Sequence, residues 1–125
     1  MREIKFRAWD GEKYNYDGFV IYPNGEIEYP EGGWDLTGYI SNELLEQYTG
    51  LHDKNGKEIY EGDVLGFYNS HHIYGIIDWD YCGYIFRWDR ETASKRGEEY
   101  LEIIPTNLNM WEIIGNIQEN PWFKV

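Results

Sequence analysis

Gln47-Tyr48-Thr49-Gly50-Leu51-His52-Asp53-Lys54-Asn55-Gly56-Lys57-Glu58-Ile59-Tyr60-Glu61-Gly62-Asp63-Val64 is the stretch that decides the fold. Asp53-Lys54-Asn55-Gly56-Lys57 carries an Asn-Gly pair between two apolar runs, the strongest short-range signal for a β-hairpin. Glu61-Gly62-Asp63 makes a second turn and starts the run Val64-Leu65-Gly66-Phe67-Tyr68. Tyr48, Leu51, Ile59 and Val64 can fill a core. Gly50, Gly56 and Gly62 stand where the backbone needs positive φ or a close approach.

Working outward, the rest of the chain has the same texture. Ile4, Phe6 and Ala8 alternate with Lys5, Arg7 and Trp9, the period-two pattern of a strand with one buried face. Asp10-Gly11 ends it. Tyr14 to Tyr22 is a second strand candidate, interrupted at Asp17-Gly18 and followed by a Pro23-Asn24-Gly25 turn. Ile27 and Tyr29 begin a return strand that Pro30 stops, and residues 31–42 form a loop. Residues 41–48 fit either a short helix capped by Ser41 or a strand leading into the hairpin. The strand is the better fit.

Ile73 to Trp79 and Gly83 to Trp88 read as another hairpin, with Tyr84, Phe86 and Trp88 on one face. Asn69-Ser70-His71-His72 reads as a hairpin tip, and the polar residues 89–98 as a mobile loop. Tyr100–Ile104 and Trp111–Gln118 complete the strands, with Pro121 as the stop. Short strands joined by tight turns imply a mainly β protein: an N-terminal β-hairpin or sheet layer over 1–46 and a small bent barrel over 47–125.

Composition bounds the function. In 125 residues there are 12 Tyr, 6 Trp and 5 Phe, which argues against disorder despite 27% charged residues. The single cysteine, Cys82, forms no internal disulfide, and no Cys-x-x-Cys pair exists. No apolar run approaches the roughly 20 residues that a membrane helix needs. Charges recur from Arg2 onward, unlike a secretory leader. A cytoplasmic protein with no membrane association is expected.

The net charge of −12 is unevenly placed. Residues 14–53 contain no Lys or Arg and eight carboxylates: Asp17, Glu26, Glu28, Glu31, Asp35, Glu43, Glu46 and Asp53. A field of this sign repels phosphate backbones, so nucleic acid is a poor partner. Arg87 and Arg90 beside Trp88 could stack single-stranded bases, but the neighbouring acids leave them too little positive charge.

Catalytic and metal motifs are scarce. His52, His71, His72 and Cys82 lack zinc-ligand spacing, and the Asp53 turn lacks the order of a calcium loop. Asp78 and Asp80, with Glu61 and Asp63, could form a carboxylate group that binds magnesium or does acid–base work, though a solvated turn explains them better. Ser41, Ser70 and Ser94 sit in no nucleophile elbow, and no phosphate-binding glycine loop occurs. No enzyme, cofactor or metal is expected.

Three blocks, taken together, resemble the YopX family of phage and prophage proteins. They are Ile4-Lys5-Phe6-Arg7-Ala8-Trp9-Asp10, the Gln47–Val64 run, and Ile113-Ile114-Gly115-Asn116-Ile117-Gln118-Glu119-Asn120-Pro121. The resemblance implies a mainly β protein in the bacterial cytoplasm, with a C-terminal barrel of the Src-homology-three type. It supplies no catalytic residues.

The expected function is therefore that of a non-enzymatic accessory protein, which binds a host or phage protein and forms a homo-oligomer. The aromatic excess supplies side chains of the kind that anchor interfaces. The alternative is an acidic nucleic-acid mimic that blocks a host DNA-binding protein. The candidate binding residues are Tyr48, Asp53, Tyr60, Glu61 and Asp63, the rim of the middle block.

Overall fold

In a computed structural model the described residues are 4–23, 27–28, 39–40, 45–67, 70–80, 83–89, 93–95, 97, 100–102 and 105–123. They form twelve strands: β1 (Phe6–Trp9), β2 (Tyr14–Asn15), β3 (Val20–Ile21), β4 (Ile27–Glu28), β5 (Tyr39–Ile40), β6 (Leu45–His52), β7 (Glu58–Tyr60), β8 (Asp63–Phe67), β9 (Ser70–Asp80), β10 (Gly83–Trp88), β11 (Tyr100–Glu102) and β12 (Trp111–Asn116). The protein is mainly β, as its turn spacing implies. The chain divides into two compact units, Lys5–Gln47 and Tyr48–Val125 with Met1–Ile4.

In the first unit β1 pairs antiparallel with β2 and with the start of β6, and β3, β4 and β5 form a three-stranded sheet. Gly18, at φ 80°, separates β2 from β3 and accounts for the break at Asp17-Gly18. The simple alternation expected of β1 is corrected here: Arg7 is buried along with Ala8. Its guanidinium lies 3.9 Å from the Tyr14 ring centroid, and its Nε donates to Glu46 Oε1 at 2.8 Å. A cation whose charge is paired and whose plane is covered can leave water.

The second unit is built on the sheet β11–β10–β9–β8–β12, antiparallel throughout and curled into a half-barrel. Its core is Ile59, Leu65, Ile77, Phe86, Trp88 and Leu108, with Leu51, Tyr84, Ala93, Trp111 and Ile113 packed against it. The Trp111 ring lies 4.7 Å from Phe86, 5.7 Å from Trp88 and 5.4 Å from Phe67, centroid to centroid. Much of the aromatic excess is thus core. Gly75 lets this happen, because a Cβ there would come within 2.6 Å of both the Phe86 ring and the Arg87 carbonyl.

Three expectations are revised. Ser70, His71 and His72 belong to β9 rather than to a hairpin tip. The 89–98 segment is not wholly loop: residues 93–95 are helical, and Ala93 N–H donates to the carbonyl of the buried Asp89. The last strand stops at Asn116 instead of Gln118, because Asn116 Oδ1 accepts from the N–H groups of Gln118 and Glu119 and turns the chain. Within the loop read over 31–42, Tyr39–Ile40 is strand β5 paired to β4, while the rest of that segment and Cys82 lie outside the described residues.

Candidate functional site

The middle block folds as β6, a turn, β7, a second turn and the start of β8. Asp53 C=O accepts from Gly56 N–H at 3.0 Å, and Gly56 takes φ 80° while Asn55 keeps negative φ. This is a type I turn followed by a left-handed glycine, not the mirror-image two-residue turn that Asn-Gly most often signals. Between Tyr48 and Leu51 the β6–β7 register shifts by a bulge, with Gly50 at φ 85°. Thr49 Oγ1 holds that bulge by donating to Ile59 O and accepting from Leu51 N–H.

Four of the five candidate binding residues lie inside. Tyr48 and Tyr60 face each other across β6 and β7, rings 5.4 Å apart, each 3% exposed. Asp63 is 2% exposed, and its Oδ2 accepts from Tyr60 N–H at 2.8 Å. Asp53, 7% exposed, sits at the far end of the hairpin from Tyr60 and Asp63. Its Oδ1 accepts from the N–H groups of Asn55 and Lys57, and its Oδ2 from Ile113 N–H, all at 2.9 Å. Only Glu61 is partly open. The residues form a buried tyrosine pair with a nearby carboxylate and a separate hairpin clasp, not one rim.

Asp53 joins the hairpin to β12, reinforced by Lys54 N–H donating to Trp111 O. The third block works the same way. Ile117 N–H donates to Gly62 O, Gly62 N–H donates to Ile77 O, and Asn116 N–H donates to Asn120 Oδ1. Gly115 marks a bulge in β12 where a Cβ would meet Asn120 Oδ1 at 2.5 Å. These carboxylates and amides serve backbone donors that the ladders leave over, the requirement of any tightly curved sheet.

The outward-facing chemistry lies elsewhere. Trp79, near the end of β9, is 54% exposed and packs edge-on against Tyr84 of β10, centroids 4.8 Å apart at 77°. The two are register partners, and Tyr84 in turn rests on the core. Trp79 therefore stands on a rigid base with half its surface in water. On the opposite face of the same hairpin, Arg87 Nε lies 3.4 Å from Asp78 Oδ2 in an exposed ion pair. Tryptophan count alone could not single out Trp79, because Trp88 is buried while Trp122 is 72% exposed.

Burial, then the charge of Asp89, pushes the Tyr74 hydroxyl above its ordinary range, so it stays protonated at neutral pH. Among the described residues no group of three or more His, Cys, Asp or Glu is placed to hold a metal. The His52 ring lies 3.4 Å from Tyr48 OH. Of the eight carboxylates in residues 14–53, Glu46 is spent on Arg7 and Asp53 on the backbone, while Asp17 is exposed.

The model of a protein family described as YopX protein matches residues 5–123. The chain belongs to the YopX family. Among solved structures, the chain is similar to EF1440 from Enterococcus faecalis, with 27% identity, TM-score 0.55 and 97% of each chain covered. It is also similar in fold to yopX from Bacillus subtilis, at 20% identity and TM-score 0.52, over 94% of this chain and 92% of that one. No curated protein matches. The three blocks thus lie in a fold common to the family, and Thr49, Asp53, Asp63, Asn116 and Asn120 within them pin strands and turns. No helix among the described residues is long and apolar enough to cross a membrane.

Proposed function

We propose that this member of the YopX family is a non-enzymatic accessory protein of the bacterial cytoplasm, encoded by a phage or prophage, and that it acts by binding another protein through the Trp79–Tyr84 step. The observation that carries this reading is a half-exposed tryptophan braced against a core tyrosine. Such a side chain offers a large contact area with little further conformational entropy to lose on binding. Thr49, Asp53, Asp63, Asn116 and Asn120 of the family blocks are meanwhile occupied with backbone, which leaves those residues poorly suited to catalysis. Self-association is part of the proposal. The nucleic-acid-mimic alternative draws less support, since two of its eight carboxylates face inward.

The test is affinity capture from bacterial lysate with tagged wild type and Trp79→Ala, each with and without nuclease. A stoichiometric, nuclease-resistant partner captured by wild type and lost with the variant supports the site. Equal capture by both removes Trp79 from it. A light-scattering mass of one subunit at micromolar concentration removes self-association.

A further inference from the structure

The chain contains two Asn-Gly pairs, Asn24-Gly25 and Asn55-Gly56. The second lies in the exposed turn that Asp53 clasps to β12. Gly56 is in the left-handed conformation, and nothing comes within 4 Å of where its Cβ would be, so the turn has room for a ring on that side. Asn55 Nδ2 donates to Glu112 Oε2 at 3.3 Å, and Lys54 Nζ lies 3.5 Å from Asn55 Oδ1.

We propose that Asn55-Gly56 is a site of spontaneous deamidation whose isoaspartyl product releases the β6–β7 hairpin from β12. In the first step the Gly56 backbone nitrogen loses its proton and bonds to Asn55 Cγ. The Asn55 amide nitrogen leaves as ammonia, and a five-membered imide remains. Water then opens the imide at either carbonyl, restoring a normal backbone with aspartate or routing the chain through the former side chain as isoaspartate. No oxidant, reductant or cofactor enters. Before attack, Gly56 N–H must give up its bond to Asp53 O, so the rate reads opening of the turn.

The two products have different consequences. Aspartate at 55 replaces the donor facing Glu112 with a second carboxylate, partly offset by Lys54; all three groups meet at the surface, so the change is small. Isoaspartate adds a methylene to the backbone between residues 55 and 56. The Asp53 side chain then cannot hold the N–H groups of Asn55 and Lys57 at 2.9 Å and still reach Ile113.

The experiment incubates the full chain in mildly alkaline buffer at physiological temperature, with peptide mapping that reads residues 24–25 and 55–56 separately. The Asn55 peptide of wild type gains about one dalton and splits into two isomers. The ion-exchange fraction holding isoaspartate at 55 melts about 4 °C below unmodified chain, and Asn55→Asp melts within about 2 °C of it. Asn55→Gln keeps an amide facing Glu112, disfavours the five-membered ring and holds its mass at that peptide. Absence of any mass gain at Asn55 while the chain stays folded overturns the site. An isoaspartyl fraction that melts with the unmodified chain overturns the release.

Discussion

Replacing Asp53 tests whether the middle block is an architectural clasp. The carboxylate accepts three backbone N–H groups, two from the turn and one from β12, each at 2.9 Å. A hydrogen bond to a charged acceptor contributes about 1.5–3 kcal/mol, but water can reach Asn55 and Lys57 in an exposed turn and recovers much of their share. Ile113 N–H, half-buried in β12, is less easily rehydrated. Asp53→Ala is therefore expected to destabilise by about 2–4 kcal/mol, most of it from Ile113.

Asp53→Asn separates the terms. Its one amide oxygen can serve the turn, while its Nδ2 is a donor facing the Ile113 donor. It should cost about 2–3 kcal/mol, most of the alanine loss, because the Ile113 bond goes in both variants and only the turn's share is kept. Urea unfolding with unchanged m-value measures both. Amide exchange at Ile113 should accelerate in each variant while the β9–β10 ladder stays protected. An alanine or an asparagine variant within about 0.5 kcal/mol of wild type would refute the clasp.

Further outcomes follow from the same geometry. Gly75→Ala should cost about 1–3 kcal/mol in chemical denaturation, since the new Cβ meets the Arg87 carbonyl at 2.6 Å and backbone cannot yield as a side chain can. Glu46→Ala should cost about 3 kcal/mol, because it strands the buried Arg7 guanidinium, with double substitution Arg7→Met/Glu46→Leu recovering part of the loss. Burial alone would raise the Asp10 carboxyl; the Asn15 side chain, the N–H groups of Lys13 and Glu12 and the charge of Lys13 outweigh it and hold it below the ordinary value. Asp10 therefore adds stability above its unfolded-state value and loses it as pH falls through the folded one. The acid limb of a stability–pH curve should flatten in Asp10→Asn and be indifferent to the Asn55→Gln change. Trp79→Ala should leave the thermal midpoint within about 2 °C of wild type, as expected for a half-exposed ring.

Much of the fold was legible because strands and tight turns write themselves locally. Asn55-Gly56, Gly62 and the alternation of Tyr84, Phe86 and Trp88 placed the β6–β7 hairpin, the launch of β8 and the inner face of β10. Tyr14–Asn15 and Val20–Ile21 became strands on either side of the Asp17-Gly18 break, and Leu45–Tyr48 became the start of β6 rather than a helix. Arg7 failed the alternation rule because its burial depends on Glu46, 39 residues away, and on Tyr14. Trp111 lies outside any clear pattern until its three ring partners are assembled.

The candidate site was less legible. Asp53, Tyr60 and Asp63 look polar and turn-like in one dimension, and surface exposure is the default reading of such residues, while Tyr48 reads equally as core. Three-dimensional closure turned them inward: a curved sheet leaves backbone donors without ladder partners, and short acidic side chains at turns are within reach of them. By itself, the sequence determined the mainly β class, the turns at Asn55-Gly56 and Gly62 and membership of the family, all properties of residue type and spacing along the chain. Only tertiary structure decided which polar groups are architecture and which aromatic faces water, because exposure depends on residues far apart in sequence. Asp53 meets Ile113 across 60 residues, and that meeting makes it a clasp.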